Sequence, residues 1–527
     1  MAQSGNVDLQ TRRRNMMNEI LSDSMHGRHV YLIGSAEYGP TNEPILVRST
    51  TGLYNKFGKH GSLINAFHCI KYVDRSIPVY LVKTTGVHAS IYMNVNVFEG
   101  EVFRNAFVLQ ASESNEIYND IYIINDTDSL TFCFPQEMGL PNMKYYYEDY
   151  PTIEKLCDAI NEDTNKKIGK IYAYYTCDSN VKTETAFYSV NPTKIYMYGG
   201  ECGIHYTKNM LYNCLEKTYK ILESHKIDII IPVDAFLDDI FPDDDEHRYG
   251  MQYYKQHRDY LTGSPQGFKY SYLNQLVNFC ITQLNSGIVT HGVIGFTKQD
   301  TLVTDYLYEA DELEQMYINC LKYNESLLDY PFYGFMVSAV AGDLRYNCGT
   351  IIDNAYLAYG AFCSLTRTTI GTTNLPLSKT ISLYEEFSEE VLGRLADNHI
   401  VAFRHSPLYD VPVVYSGITV SNDENLKYFV NVRMVQMCIS YVDKIMQFYI
   451  GMNMQTIIRE KYFEEDVKAM LDTLVNANYI TYYDYKQVPD YLHGEIKLYI
   501  TFTSNYMVKA LTLQTSVRAE FSEDLVQ

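Results

Sequence analysis

Tryptophan is absent from this sequence, no two cysteines stand in C-x-x-C spacing, and no apolar run approaches the length of a membrane span. The longest such runs, IDIII at 227–231 among them, are strand-sized, against roughly 18 residues needed to cross a bilayer. The N-terminus is polar and contains arginine, with no apolar stretch of signal-peptide type, so a soluble protein made in the cytosol is expected. Positive charge is also short: 43 Lys and Arg face 64 Asp and Glu, a net charge of −21. Such a surface repels phosphate, which argues against wrapping nucleic acid. The one compact basic cluster, Arg12-Arg13-Arg14, reads as a solvated, mobile terminus, with a phosphate contact as the lesser alternative. Eleven cysteines are scattered singly. Cys214, Cys280 and Cys363 lie in apolar neighbourhoods, and buried free thiols in a reducing compartment explain them better than disulfides or zinc. The aromatic surface that tryptophan does not supply falls to 50 tyrosines, which give large contact area at small entropic cost and hint at assembly.

What is present is a chain long enough for two to four domains, with strands and helices in a readable order. Residues 1–28 lack sustained periodicity beyond a short helical spacing around Met16–Leu21 and read as an arm. From 29 to 86 the order is strand HVYLIG, turn EYGPTNEP, strand ILVRS, an amphipathic stretch TGLYNKFGKHGSLINAFHCI and strand PVYLVK, which together make an α/β unit. Residues 87–195 change to short, partly alternating runs such as NDIYIIND and SLTFCF, with one helix PTIEKLCDAINED. They read as a β-rich domain inserted into the α/β one. From 196 to 375 helices again precede buried-type strands: LYNCLEKTYKILESH then IDIIIP, NQLVNFCITQLN then HGVIGF, and ADELEQMYINCLKYNESL then PFYGFMVSAVAGD. That alternation predicts a largely parallel sheet covered on both faces. Residues 376–507 read as a smaller α+β unit with LKYFVNVRMV and EIKLYITFT as strands and MCISYVDKIMQFYIG and FEEDVKAMLDTLVNANYI as helices. In 508–527, Leu511, Leu513, Thr515 and Val517 alternate with polar residues, the period of a strand with one buried face.

Three chemical readings follow from the residues. VYLIGSAEYGPT at 30–41 has the strand, the two glycines and the threonine of a phosphate-binding loop, but Pro40 stands where the lysine belongs. Proline has neither a cation nor an N–H, and Glu37 and Glu43 add negative charge, so a structural turn built on Gly34, Gly39, Pro40, Asn42 and Pro44 is expected instead. Asp234, His291 and Ser338 each lie near a strand end and could form a hydrolase triad. MVSAV, however, is not the helix-opening turn a subtilisin-type serine needs. For metals, His26 with His29 and His399 with His405 are the tightest histidine pairs, without further ligands, and Asp243-Asp244-Asp245-Glu246 lacks the glycine and spacing of a calcium loop. No catalytic residue, metal or cofactor is assigned.

The segment LIGSAEYGPTNEPILVRSTTGLYNKFGKHGSLINAF resembles the opening of contractile-tail sheath proteins of bacteriophages, through Gly34-Ser35-Ala36, Gly39-Pro40, Asn42, Pro44, Tyr54 and Phe57-Gly58. NDIYIIND with IEKLCDAINED resembles the family's inserted β-sandwich, LEKTYKILESHKIDIIIP its helix-strand pattern, and REKYFEEDVKAMLDTLVNANYITYYDY its C-terminal domain. The resemblance implies a multi-domain α/β plus α+β protein: a mostly parallel, subtilisin-like but non-catalytic core, an inserted β-sandwich and a C-terminal domain facing a tail tube. It implies a structural subunit that polymerises as a helical homo-oligomer, in hexameric rings, around the tube and contracts to drive it through a host envelope. The expected partners are further copies, the tube protein, and baseplate and terminator proteins, with no nucleic acid and no membrane insertion. The expected place is the tail sheath of a virion assembled in the host cytoplasm. Residues 508–518, with Leu511, Leu513, Thr515 and Val517, fit the role of a strand donated to a neighbour. Lys444, Arg459 and Lys461 are candidate cations facing an acidic tube. This chain departs from the family in lacking a Pro-Gly-Val-Tyr-Val-like opening strand, which leaves N-terminal strand exchange without its motif. The alternatives are the sheath of a secretion system or phage-derived bacteriocin and, from a different class, an α/β hydrolase or a nucleotide-dependent enzyme.

Overall fold

The run VYLIG at Val30–Gly34 buries all five residues, which a strand achieves only when both faces of its sheet are covered. In the computed structural model this run is β1. It is followed by β2 (Ile45–Val47), β3 (Val79–Lys83), β4 (Ser90–Phe98), β5 (Glu101–Ala111), β6 (Tyr122–Asn125), β7 (Ser129–Cys133), β8 (Met143–Tyr146), β9 (Ile171–Tyr175), β10 (Thr193–Tyr196) and β11 (Ile229–Pro232). The structure describes residues 11–18, 29–98, 101–188, 191–206, 208–237, 240–242, 268–296, 310–326, 328, 331–365, 371–406, 408–490 and 495–504. They divide into two units, Asp23–Ser440, and Met1–Ser22 with Tyr441–Gln527.

The larger unit is a mixed α/β body with several sheets. Its central sheet has seven strands in the order Ile400–Val401, Val337–Val340, His291–Gly295, β11, β1, β3, β2. Every pairing is parallel except that of β2 with β3. Side chains alternate across the strands, and the two cores follow that alternation. Tyr31, Ile33 and Ile230 pack with Leu215, Leu276, Cys280, Leu321 and Val391 from the helices Lys208–Leu222, Tyr272–Asn285, Ala310–Ser326 and Glu389–Asp397. Val30, Leu32, Ile229 and Ile231 pack instead with Phe57, Phe67, Ile70, Leu357 and Phe362 from Thr50–Phe57, Ser62–Val73 and Ala355–Leu365.

Between β3 and β11 the chain builds two antiparallel sheets, ordered β10-β6-β7-β8 and β4-β5-β9. Both contribute to a third apolar core running from Ala89 to Met197, closed by Leu156 and Ile160 of the helix Ile153–Asn165. Thr152 caps that helix through its hydroxyl, which accepts from Lys155 N–H at 3.4 Å.

In two places the local structure differs from expectation. The stretch TGLYNKFGKHGSLINAFHCI forms two helices, Thr50–Phe57 and Ser62–Val73, because Gly58 and Gly61 take positive φ and break the pattern. The turn after β1 leads into β2, which pairs antiparallel with β3. LKYFVNVRMV, expected as a strand, lies mostly within one 21-residue helix, Phe429–Tyr449. In the smaller unit, the helix at 11–18, the helices Met454–Glu460 and Tyr462–Asn476, and a hairpin of Ile480–Asp490 with Glu495–Ser504 are described. Leu511, Leu513, Thr515 and Val517 lie outside the described residues. Among the described residues, no helix is long and apolar enough to cross a membrane.

Candidate functional site

The carboxyl ends of parallel strands are where an α/β protein places its ligands, and β1 ends there in Gly34-Ser35-Ala36. A Cβ on Gly34 would stand 2.6 Å from Ser62 Oγ, so the first residue of the motif is fixed by its approach to the helix that Ser62 opens. That helix, Ser62–Val73, begins after Gly61, which has no side chain to cap it. Ser35 does so from across the turn: its Oγ accepts from Ser62 N–H at 3.0 Å and its carbonyl accepts from Leu63 N–H at 3.1 Å. In return, Ser35 N–H donates to Ser62 Oγ at 3.0 Å. The first N–H groups of this helix, which in a phosphate loop would face an anion, are consumed by protein. Gly39, at φ 97°, lies where a Cβ would be 3.0 Å from the Phe57 ring, and Tyr38 N–H donates to Phe57 carbonyl at 3.1 Å. Asn42, at φ 63°, donates its N–H to Lys83 carbonyl at 2.7 Å and accepts from Thr218 Oγ1 at 2.6 Å. Pro40 and Pro44 flank it half-buried.

A buried cation stands at the end of the neighbouring strand. Lys83, the last residue of β3, is fully buried and donates from Nζ to Ser114 carbonyl at 2.7 Å. Burial pushes its ammonium down to about 8, against the opposing pull of Cys202 and Glu113. Thr41 Oγ1 and Ser114 Oγ are 3.0 Å apart, Asn115 Nδ2 donates to Glu37 carbonyl at 2.8 Å, and Thr85 Oγ1 donates to Gly203 carbonyl at 2.6 Å. These bonds fasten the β-rich stretch to the end of the central sheet. The sequence signal for Lys83 was a lysine directly after the apolar run VYLV; its burial was not foreseen.

The hydrolase triad does not assemble. His291 Nε2 and Ser338 Oγ are 3.0 Å apart and both residues are fully buried. The serine hydroxyl donates to Ile418 carbonyl at 2.7 Å, so it accepts from the histidine and carries no proton toward it. His291 pairs in register with Ile229 at the start of β11, five residues before Asp234, a separation on the order of 15 Å along the strand. Asp234 accepts instead from Tyr206 Oη at 2.6 Å. Also at the carboxyl edge, Glu385 lies beside Gly342 and Asp343 with neither carboxylate oxygen hydrogen-bonded among the described residues. Burial, then the Asp343 charge, pushes Glu385 up to about 8.

The remaining candidates are dispersed. His29 Nδ1 lies 3.6 Å from Asp228, while His26 and the run 243–246 lie outside the described residues. Among the described residues, no group of three or more His, Cys, Asp or Glu has the arrangement of a metal site. The described residues place Lys444 on Phe429–Tyr449, Arg459 near the end of Met454–Glu460 and Lys461 at the junction to Tyr462–Asn476. Arg459 pairs with Glu460 at 2.8 Å. The basic cluster is not all solvated: Arg13 holds Asp466 at 2.7 Å and Glu465 at 3.3 Å and lies 4.3 Å over the Tyr462 ring. Nothing local in the sequence marks that pairing, because its partners are some 450 residues away.

No protein-family model matches this chain, and no curated protein matches it. Among solved structures, it is similar to a sheath tail protein from Desulfitobacterium hafniense, at 11% identity over 92% of this chain and 98% of that one, with a TM-score of 0.45. It is similar to a sheath tail protein from Listeria innocua at 11% identity, over 93% and 98% of the two chains, with a TM-score of 0.47. A third likeness is to the contracted helical sheath of the anti-feeding prophage, at 11% identity over 62% and 78%, with a TM-score of 0.38.

Proposed function

We propose that this chain is a structural subunit of a contractile sheath, which polymerises around a tail tube and contracts to drive it through a host envelope. One observation carries the reading: three glycines on which the resemblance rests, Gly34, Gly39 and Gly58, are each fixed by a close approach to a neighbouring element. Gly34 faces Ser62, Gly39 faces Phe57, and a Cβ on Gly58 would lie 2.5 Å from Glu37 Oε2. Such a signature serves rigidity, and it occupies the helix N–H groups that a phosphate site would leave free. The buried Ser338, with its proton on a backbone carbonyl, weighs against the hydrolase alternative.

In this reading subunits move as rigid bodies while strand-forming arms keep them linked. The 508–518 segment supplies such an arm, with Leu511, Leu513, Thr515 and Val517 filling alternate positions on an acceptor sheet. A head-to-tail interface that does not close gives a helical array. A few kcal/mol gained per subunit on rearrangement, the usual scale of coupling energies, multiplies along the polymer. Hexameric rings, a tube contacted by Lys444, Arg459 and Lys461, baseplate and terminator partners, and a place in a phage virion belong to the same proposal. So does the choice of a phage tail over another contractile injection system.

The test is electron microscopy of the purified protein, in which tubes or stacked rings are expected. A monodisperse monomer at all concentrations would overturn the reading. Removing residues 508–527 is expected to leave circular dichroism unchanged and to abolish tubes; normal tubes from the truncated chain would refute the arm.

A further inference from the structure

We propose that the open face of the β10-β6-β7-β8 sheet is a docking surface for the acidic surface of a second copy of this chain. The inference rests on the sheath reading and names a contact within it. The register places Lys194, Ile124, Thr131 and Lys144 side by side in one row across the four strands. A second row places Tyr196 beside Tyr122. The alternate residues, Ile123, Leu130, Phe132 and Tyr145, are buried in the core beneath. The outward set is open: Lys144 and Lys194 are exposed, Tyr146 is 44% exposed and Tyr196 is 52% exposed.

The two lysines bracket the sheet at opposite edges, three strand spacings or about 14 Å apart. Each is held by tyrosine: Lys194 Nζ lies 3.6 Å from the Tyr122 ring centroid and 4.6 Å from that of Tyr196, and Lys144 Nζ lies 4.5 Å from that of Tyr146. Among the described residues, neither lysine has a carboxylate within 4.0 Å. The ammonium groups therefore cover the ring faces and present fixed charge outward, which suits carboxylates better than a stacking base or sugar. The face is cationic and tyrosine-rich on a chain whose net charge is −21. Copies of so acidic a chain repel one another, and a contact that sets these lysines against carboxylates of the next copy offsets that repulsion and fixes orientation. One sheet face covers less than the roughly 800 Å² per partner of a stable interface. It therefore acts within a lattice already linked elsewhere and does not form dimers alone.

The experiment compares wild type, K144E/K194E and K144R/K194R in assembly, read as the concentration at which polymer sediments and as tube formation under the microscope. The side chains are exposed, and unchanged circular dichroism checks the fold. The glutamate variant is expected to raise that concentration at least tenfold and the arginine variant to stay within twofold of wild type. Assembly of the glutamate variant at the wild-type concentration overturns the docking surface while leaving the sheath reading intact. Failure of the wild type itself to assemble overturns the sheath reading and this inference with it. Binding of polygalacturonate to the wild-type subunit, lost in the glutamate variant while assembly is unchanged, assigns the face to an acidic polymer and also overturns the proposal.

Discussion

A buried carboxyl with no hydrogen-bond partner among the described residues reports its surroundings through its proton. Glu385, beside Asp343, is pushed up to about 8 by burial and by that neighbouring charge. The folded state therefore holds this proton where the unfolded state releases it, between the ordinary glutamate value and about 8. In that window the unfolded chain binds fewer protons, so stability falls as pH rises. Below the ordinary glutamate range both states are protonated and the effect is gone. E385Q keeps the shape without the ionisation, so it is expected to match wild type near pH 4.5 and to exceed it by on the order of 4 kcal/mol at pH 8. Denaturant unfolding at the two pH values measures this, and a difference that does not grow with pH would remove the account. Lys83 works in the opposite sense: its value is lowered to about 8, so the cost of burying its charge is relieved as pH rises from 8 toward the ordinary lysine range.

At the scale of elements, the helix Ser62–Val73 depends on a cap supplied by another segment. Gly61 sits at φ 113°, and a Cβ there would meet Ser35 carbonyl oxygen at 2.5 Å and Ala36 Cα at 2.8 Å, both backbone. G61A is therefore expected to cost on the order of 3 kcal/mol through strain and a displaced cap, whereas G139A, with nothing within 4 Å of its added methyl, is expected to cost less than half as much. Comparing their denaturation midpoints checks it. The parallel strands were legible because runs such as IIIP and HGVIGF, each after a helix-period stretch, bury every residue, as a strand covered on both faces does. The helix over 429–435 was not legible. Phe429, Val430, Val432 and Met434 are all buried, as are Arg433 and Gln436, so apolar spacing there marks no single face. Arg433 is held by Gln436 Oε1 at 2.8 Å and by the Cys363 carbonyl at the end of Ala355–Leu365, a place where a cation suits the negative end of a helix. Such a site is invisible from the arginine's own neighbours. The turn residues of the candidate site were readable from their glycines and prolines, while Lys83, Ser114 and Thr218 meet only once the sheet has formed.

For the whole molecule, the pairing of Arg13 with Asp466 joins the first described helix to the last one. Arg13 is 13% exposed and Asp466 8%, and Tyr449 Oη also donates to Asp466 at 2.5 Å. R13E sets a further negative charge beside Asp466 and Glu465, and breaking such a pair costs about 3–5 kcal/mol. The expected result is faster hydrogen exchange across Tyr462–Asn476, with β1 and β11 in the other unit unchanged; uniform or absent change would argue against two separate units. The position of β1 has a further consequence. It lies between β11 and β3, parallel to both, with four and five residues in register. A force drawing β1 lengthwise past its neighbours would load those hydrogen bonds together in shear, and none could be peeled off first. Traction on the turn that leaves β1 thus meets the sheet in its stiffest direction.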